Sequence, residues 1–473
     1  MTTPKDGALT VRRSLLEDAA SYAVEFLEGL PERRVTPAAS AEELRVEFGG
    51  PLPDGPCDPQ LVVAELNEAA DRGTMATPGG RFFGFVIGGS LPAALAADWL
   101  TSTWDQNAGL YAAAPAASVI EEVCGAWLIE LFGLPKHASY GLVTGCQMAH
   151  FTALAAARHG VLEAAGWDVE TDGLLSAPPI RIIVGEERHV TIDRSLRFLG
   201  LGTASLRTVP ADAQGRMRAD ALGDALSASS GPIIVCAQAG NVNTGAIDPL
   251  GAICAVAHDA GAWVHVDGAF GMWAAASPTL RRLAEGIEHA DSWATDAHKW
   301  LNVPYDSGLV FCAHPDAHRA AMGTHASYLV HSEDHERDEM DWNPEFSRRA
   351  RGFPVYAALR SLGRSGVADL VDRCCAHARR FAEALSQEPG VGVLNDVVLN
   401  QVLVRFLDPG GDHDAHTRAV IRAVQEDGTC WLGGTTWQDK AAMRISVSNW
   451  STTTEDVDRS VAAILRTATE TAP

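Results

Sequence analysis

Five short apolar runs punctuate the middle of this 473-residue chain, at 180–184, 232–237, 263–266, 292–295 and 308–312. Segments with helical spacing accompany them: 250–260 lies between two of the runs, and 147–165 precedes the first. Runs without polar alternation have no face to offer water, so strands built from them must be covered on both sides. Strands alternating with helices meet that need in a mostly parallel sheet. The expected fold class is therefore α/β, with a mostly parallel sheet in a large domain and a small α/β C-terminal domain. Ligands in such folds bind beyond the carboxyl ends of the strands.

The spacing predicts an arm over 1–80, helical across 14–30 and rich in Pro and Gly across 49–59. A large domain follows over 81–350 and a smaller one over 351–473. Within the large domain, 325–345 is polar, rich in His and acids, and aperiodic, which reads as a mobile functional loop. A net charge of -23 argues against a nucleic-acid partner, which needs clustered Lys and Arg. Nine cysteines are scattered without CxxC pairs, as reduced thiols in a cytoplasm would be. The N-terminus lacks the apolar stretch of a signal peptide. The best membrane candidate, 91–100, is too short and is broken by Asp98, so no membrane partner is expected.

Two motifs carry the chemistry: His265-Val-Asp267-Gly-Ala269 and Asp296-Ala-His298-Lys299-Trp300. Each follows an apolar run, so each polar group should emerge at a strand's carboxyl end, facing one crevice. Either motif alone reads equally well as a structural Asp or a solvent-facing Lys. Together they suit an enzyme of pyridoxal 5'-phosphate (PLP). Lys299 would supply the amine for a Schiff base, with burial lowering its pKa to make it nucleophilic. Asp267 would keep the pyridine nitrogen protonated, so that the ring acts as an electron sink.

Read with its neighbours, the chain resembles the group II PLP-dependent amino-acid decarboxylases, the fold-type I family of the aromatic-amino-acid, glutamate and diaminobutyrate enzymes. The resemblance runs from about Arg81 to Val461. It includes RFFGFVIGGSLPAALAADWL, GLVTGCQMAHFTALAAARHG, the His189 segment, AGNVNTGAIDP, HVDGAFG, DAHKWLNVPYDSG and MRISVSNW. It implies α-decarboxylation of an L-amino acid by a homodimer with active sites at the subunit interface. Lys299 would hold the cofactor, Asp267 would pair with the pyridinium, and His189 would stack on the ring with Ala269 on the opposite face. The phosphate would sit at Thr144, Gly145, Cys146 and Gln147, where a helix N-terminus makes an anion site. Asn241 and His298 match further cofactor-side positions. Arg444 matches a substrate-carboxylate position in glutamate decarboxylase relatives and reads equally as a structural ion pair. Arg348 and Arg349 match a family pair that reads as structural. Phe82 to Phe85, Trp104 and Leu110 are pocket or interface candidates.

Three departures bear on the outcome. The family's loop tyrosine, which protonates the carbon left by CO2 loss, falls here on Glu339 or a neighbour, and Tyr328 matches a different family position. His331 and His335 stand in the same loop and could supply the proton; their spacing also suits a metal on a helix, but in an acidic aperiodic stretch no metal is expected. Gln147 and His150 replace the commoner Thr or Ser and Asn, and Gly268 and Phe270 replace Ala and Tyr. The missing tyrosine opens two alternatives: decarboxylation-coupled oxidative deamination to an aldehyde, and β-elimination on a Cys-derived substrate. Transamination and a non-catalytic PLP-binding paralogue are further readings, and the intact Lys299, Asp267 and His189 set argues against the second.

Overall fold

The computed structural model describes residues 4–324 and 336–471. Among them, seven strands form one sheet in the order β1-β7-β6-β5-β4-β2-β3: β1 (Ser139–Val143), β2 (Arg181–Gly185), β3 (Arg207–Val209), β4 (Ile233–Gln238), β5 (Trp263–Asp267), β6 (Ser292–Asp296) and β7 (Gly308–Cys312). The run β6-β5-β4-β2-β3 is parallel throughout, and β7 is antiparallel to both of its neighbours. All five apolar runs became strands. β4, β5, β6 and β7 are buried at every position, as strands covered on both faces must be. Two strands were not foreseen. β1 mixes Ser, Tyr and Gly with its apolar residues, and β3 has only three residues, two of them exposed.

The helix Cys146–Glu163 covers one face of this sheet and packs on β5, β6 and β7. Its buried side is largely alanine (149, 153, 155, 156 and 157), which lets its backbone lie close to the strands. At Gly160 even a Cβ would meet the Trp263 ring at 2.8 Å, so this glycine lets the helix pass over the first residue of β5. Trp273, Trp293, Trp300 and Phe311 fill the core, and a fully buried phenylalanine of this kind contributes about 1.5–3 kcal/mol.

A second, antiparallel sheet follows in the order β10-β11-β9-β8: β8 (Val391–Val393), β9 (Gln401–Phe406), β10 (Gly433–Trp437) and β11 (Lys440–Ser446). The helix Gly352–Ser386, broken at Gly363 (φ 61°), joins the two sheets and packs on β8, β9 and the helix Pro92–Trp104. The N-terminal residues form the helices Pro4–Gly29, Ala41–Phe48 and Pro59–Gly73, with a capping box between Ser40 and Glu43 on the second. These helices leave Leu16, Val24, Phe48, Leu61 and Leu66 exposed. Among the described residues, no helix is long and apolar enough to cross a membrane.

Candidate active site

β5 and β6 are parallel neighbours, so Asp267, which ends β5, and Asp296, which ends β6, emerge at the same edge of the sheet. His298 and Lys299 follow Asp296 directly. The helix Cys146–Glu163 starts at that edge, immediately after β1. Gly145 precedes it in extended backbone, packed so tightly on Gly308 that a Cβ on Gly308 would lie 2.4 Å from the Gly145 backbone. His298 lies beside this glycine. The Ser307 amide donates to its Nδ1 at 3.0 Å, its Nε2 is 3.3 Å from Asp296 Oδ1, and its ring stacks on Tyr305 at 4.3 Å. From the other side, Gly88 presses on the Lys299 carbonyl, where a Cβ would come within 1.7 Å. The turn just after the RFFGF segment therefore packs against the backbone of the lysine. Phe82 and Phe85 flank Trp431 at 5.2 and 5.1 Å, and Phe85 is exposed. Trp104 instead meets Phe353, edge to face.

Electrostatics corrects one expectation. Burial alone would lower the Lys299 pKa, but the Asp296 carboxylate stands 3.0 Å from Nζ and holds the ammonium above its ordinary value. Burial likewise favours a neutral Asp267, yet His150, His189 and the Ala269 amide (3.1 Å to Oδ1) hold its carboxyl below the usual range. His189 caps the helix Val190–Phe198 with Nδ1 2.7 Å from Thr191 Oγ1, and burial lowers its pKa. Arg444 on β11 is close enough to His189 to influence it. Its guanidinium makes no ion pair or hydrogen bond within the described residues, and its burial lowers its pKa.

The remaining candidates divide. Cys146 is buried, with its amide 2.6 Å from Asp296 Oδ1, and Gln147 reaches Ser195 Oγ at 2.8 Å, tying the helix start to the helix that His189 caps. Ala269 packs with Val143, Ala149 and Ala294 beside the Asp267 carboxylate. Asn241 is occupied by its own turn: it accepts from the Asn243 and Thr244 amides and donates to Glu187 O and Gln238 Oε1, with no bond to Lys299, Asp267 or His189. Tyr328, His331 and His335 lie outside the described residues. Glu339 is buried and pairs with Arg337 at 2.8 Å. Arg348 is spent on Glu121 and the Ala108 and Leu142 carbonyls, and Arg349 on Asp98. A cavity of about 1150 Å³, lined by Arg216, His258 and Arg282 among others, contains none of the cluster.

Three residues of the cluster were given no role from sequence: Asp296, His150 and His265. Their signals were present. Asp296 is three before Lys299, and His265 is two before Asp267 on one face of a strand. The chain has four lysines, at 5, 136, 299 and 440. Lys136 and Lys440 are exposed, whereas the Lys299 side chain keeps only 21% of its surface. A mostly buried amine, a buried carboxylate on the adjacent strand, an imidazole (His189) within electrostatic reach of both and a helix N-terminus make a donor set suited to PLP.

The family profile described as "Pyridoxal-dependent decarboxylase conserved domain" matches residues 71–406. The aromatic-L-amino-acid decarboxylase of Bacillus atrophaeus is 25% identical over 94% of this chain and 93% of its own. A phenylacetaldehyde synthase of Arabidopsis thaliana is also 25% identical, over 70% of each chain. Among solved structures, that of Oryza sativa TDC with PLP and tryptamine superposes with a TM-score of 0.91, at 22% identity and over 100% of both chains.

Proposed function

Because the chain belongs to the pyridoxal-dependent decarboxylase family, we propose that this PLP enzyme converts an L-amino acid to an amine and CO2, with the cofactor held through Lys299 Nζ. The observation that carries the reading is the pairing of Lys299 and Asp267 at adjacent parallel strand ends. Bound there, the cofactor supplies an electron sink for the pair of electrons left behind when CO2 departs. Asp267, held anionic, keeps the ring nitrogen's proton in place. His189, kept neutral by burial, lies against the ring, and Ala269 leaves room for the opposite face. Arg444, without a partner among the described residues, binds the substrate's α-carboxylate in this reading. Gly145, Cys146 and Gln147 hold the phosphate at the helix start. The exposed apolar residues of the N-terminal helices are the surface through which two copies form a homodimer.

A second reading rests on Glu339. The position expected to carry the proton-donating tyrosine is a buried carboxylate bound to Arg337, and one relative is named for an aldehyde product. Without a proton donor, oxygen takes the electrons, and the products are aldehyde, ammonia, CO2 and peroxide.

Purified protein loaded with PLP and given a panel of L-amino acids separates the two. Amine and CO2 without oxygen uptake support the first reading; aldehyde and peroxide replace it with the second. Turnover of no amino acid would sink both.

A further inference from the structure

Behind Asp267 runs a chain of buried polar groups whose direction is fixed by the group at its far end. Trp263, His265 and Asp267 alternate along β5 and so share one face of the sheet. Ser292 on β6 is the register partner of His265. His150 descends onto the same face from the helix Cys146–Glu163. Trp263 Nε1 donates to Ser292 Oγ at 2.9 Å, and Ser292 Oγ is 3.0 Å from His265 Nδ1. His265 Nε2 is 2.9 Å from His150 Nδ1, and His150 Nε2 lies 3.5 Å from Asp267 Oδ1 and 3.3 Å from Cys146 Sγ. Ser292, His265 and His150 have no solvent exposure.

An indole N–H can only donate. Ser292 Oγ is therefore an acceptor toward Trp263, and its own proton goes to His265 Nδ1. A neutral His265 must then carry its proton on Nε2 and donate to His150 Nδ1. That leaves the His150 proton on Nε2, facing Asp267, and a carboxylate is a stronger acceptor than the neighbouring thiol. The opposite polarity would leave the serine proton without an acceptor among the described residues, and would either set a His150 lone pair against an anion or add a buried imidazolium, each costly in a dry interior. Both donors to Asp267, His150 and the Ala269 amide, act on Oδ1, which leaves Oδ2 for the cofactor. A neutral donor also leaves the carboxylate's full charge for the pyridinium.

We propose that Trp263, Ser292, His265 and His150 form a one-way hydrogen-bond wire that ends in a neutral His150 donor and positions Asp267 for the cofactor's ring nitrogen. The inference rests on the reading of Asp267 as the ring partner; His150 and His265 are positioning residues that touch neither cofactor nor substrate. The ionisable groups around them are Cys146 on the helix, Cys236 on β4, Asp267 on β5, His189, and Asp296 with Lys299 beyond β6. Burial holds His265 neutral, with its pKa lowered to about 3.

The test is nitrogen-15 NMR of histidine-labelled protein, with and without PLP, His150 and His265 being assigned by single substitution. Both rings should be neutral and protonated on Nε2 at pH 8, whether or not cofactor binds. A His150 protonated on Nδ1, or on both nitrogens, overturns the wire. On the PLP-loaded protein, His150→Leu and Ser292→Ala should weaken cofactor binding about tenfold, the worth of one hydrogen bond to a charged group, and shift the pH midpoint of its visible absorbance. His150→Asn, which retains a neutral N–H donor, should restore much of both. Unchanged affinity and spectrum in folded His150→Leu and Ser292→Ala proteins would overturn the proposal. Failure of the wild type to bind PLP would instead remove the proposed function, and the ring protonation states would still decide the wire.

Discussion

This protein buries two ionic clusters beside the same sheet, and they are built to opposite ends. Around Glu121, each charged side chain has at least one protein partner, although Glu121 Oε2, Glu339 Oε2 and Arg348 Nε stay unbonded. Arg348 has no side-chain exposure, meets Glu121 at 2.8 Å and donates two further bonds to the Ala108 and Leu142 carbonyls. Arg337 spans Glu339, the Tyr140 ring and the Trp342 ring. Around Lys299, by contrast, the pairing is incomplete. Lys299 keeps an exposed flank, Arg444 has no partner in the described residues, and Asp267 has its donors on one oxygen. Closed clusters hold a fold in register; open ones hold charge ready for something outside the chain. Burial and charge alone do not separate the two; the exposed flank of Lys299 and a guanidinium, Arg444, with no partner among the described residues do.

The comparison breaks most sharply at its two arginine and lysine centres. Lys299→Ala should lower turnover by more than about a thousandfold, the scale of removing a covalent catalytic group, while changing unfolding free energy little. Arg348→Met should do the reverse: stability in urea falls by about 3–5 kcal/mol, the cost of stranding one partner of a buried pair, with turnover per folded molecule retained. Swapped outcomes would mean the clusters have been assigned the wrong way round.

Arg444 sharpens the contrast at intermediate size. Arg444→Gln should raise KM roughly ten- to hundredfold, the loss of a charge-assisted hydrogen bond to the substrate carboxylate, with a smaller change in kcat. A stability loss with KM unchanged would return Arg444 to the structural side.

The smallest effect concerns His318, beside the closed cluster, where Ser139 Oγ and the Trp342 carbonyl hold the ring at 2.9 and 3.0 Å. Burial lowers its pKa from 6.5 to about 3. Below pH 6.5 the unfolded chain takes a proton that the folded ring refuses, so stability is full above that pH and falls as acid is added. Relative to His318→Asn, the wild type should lose about 1.4 kcal/mol per pH unit between pH 6 and 4, read from urea melts. Parallel stability curves for the two proteins would show that His318 is not held neutral.

Much of this was legible in the sequence because the decisive signals are local. The five apolar runs mark strands through lack of alternation, and Asp267 and Lys299 sit at the ends of two of them. β1 escaped because Ser139, Tyr140 and Gly141 dilute its apolar pattern, and β3 because three residues carry no period. The closed cluster was illegible for a different reason: Glu121 and Arg348 are more than 200 positions apart. The expected fall in the Lys299 pKa failed because burial was weighed without Asp296, whose carboxylate reverses the sign. The Trp263 wire needs β5, β6 and a helix together, so sequence shows its alternation along β5 but not its continuation to Ser292 and His150.

The central claim is that Lys299 holds the cofactor, and a chain with only four lysines makes that directly readable. The protein would be loaded with PLP, reduced with borohydride, digested and mapped by mass spectrometry. A reduced pyridoxyl adduct on the peptide that contains Lys299, absent from Lys299→Ala, is the predicted result. An adduct confined to Lys5, Lys136 or Lys440, or none at all, would contradict the account.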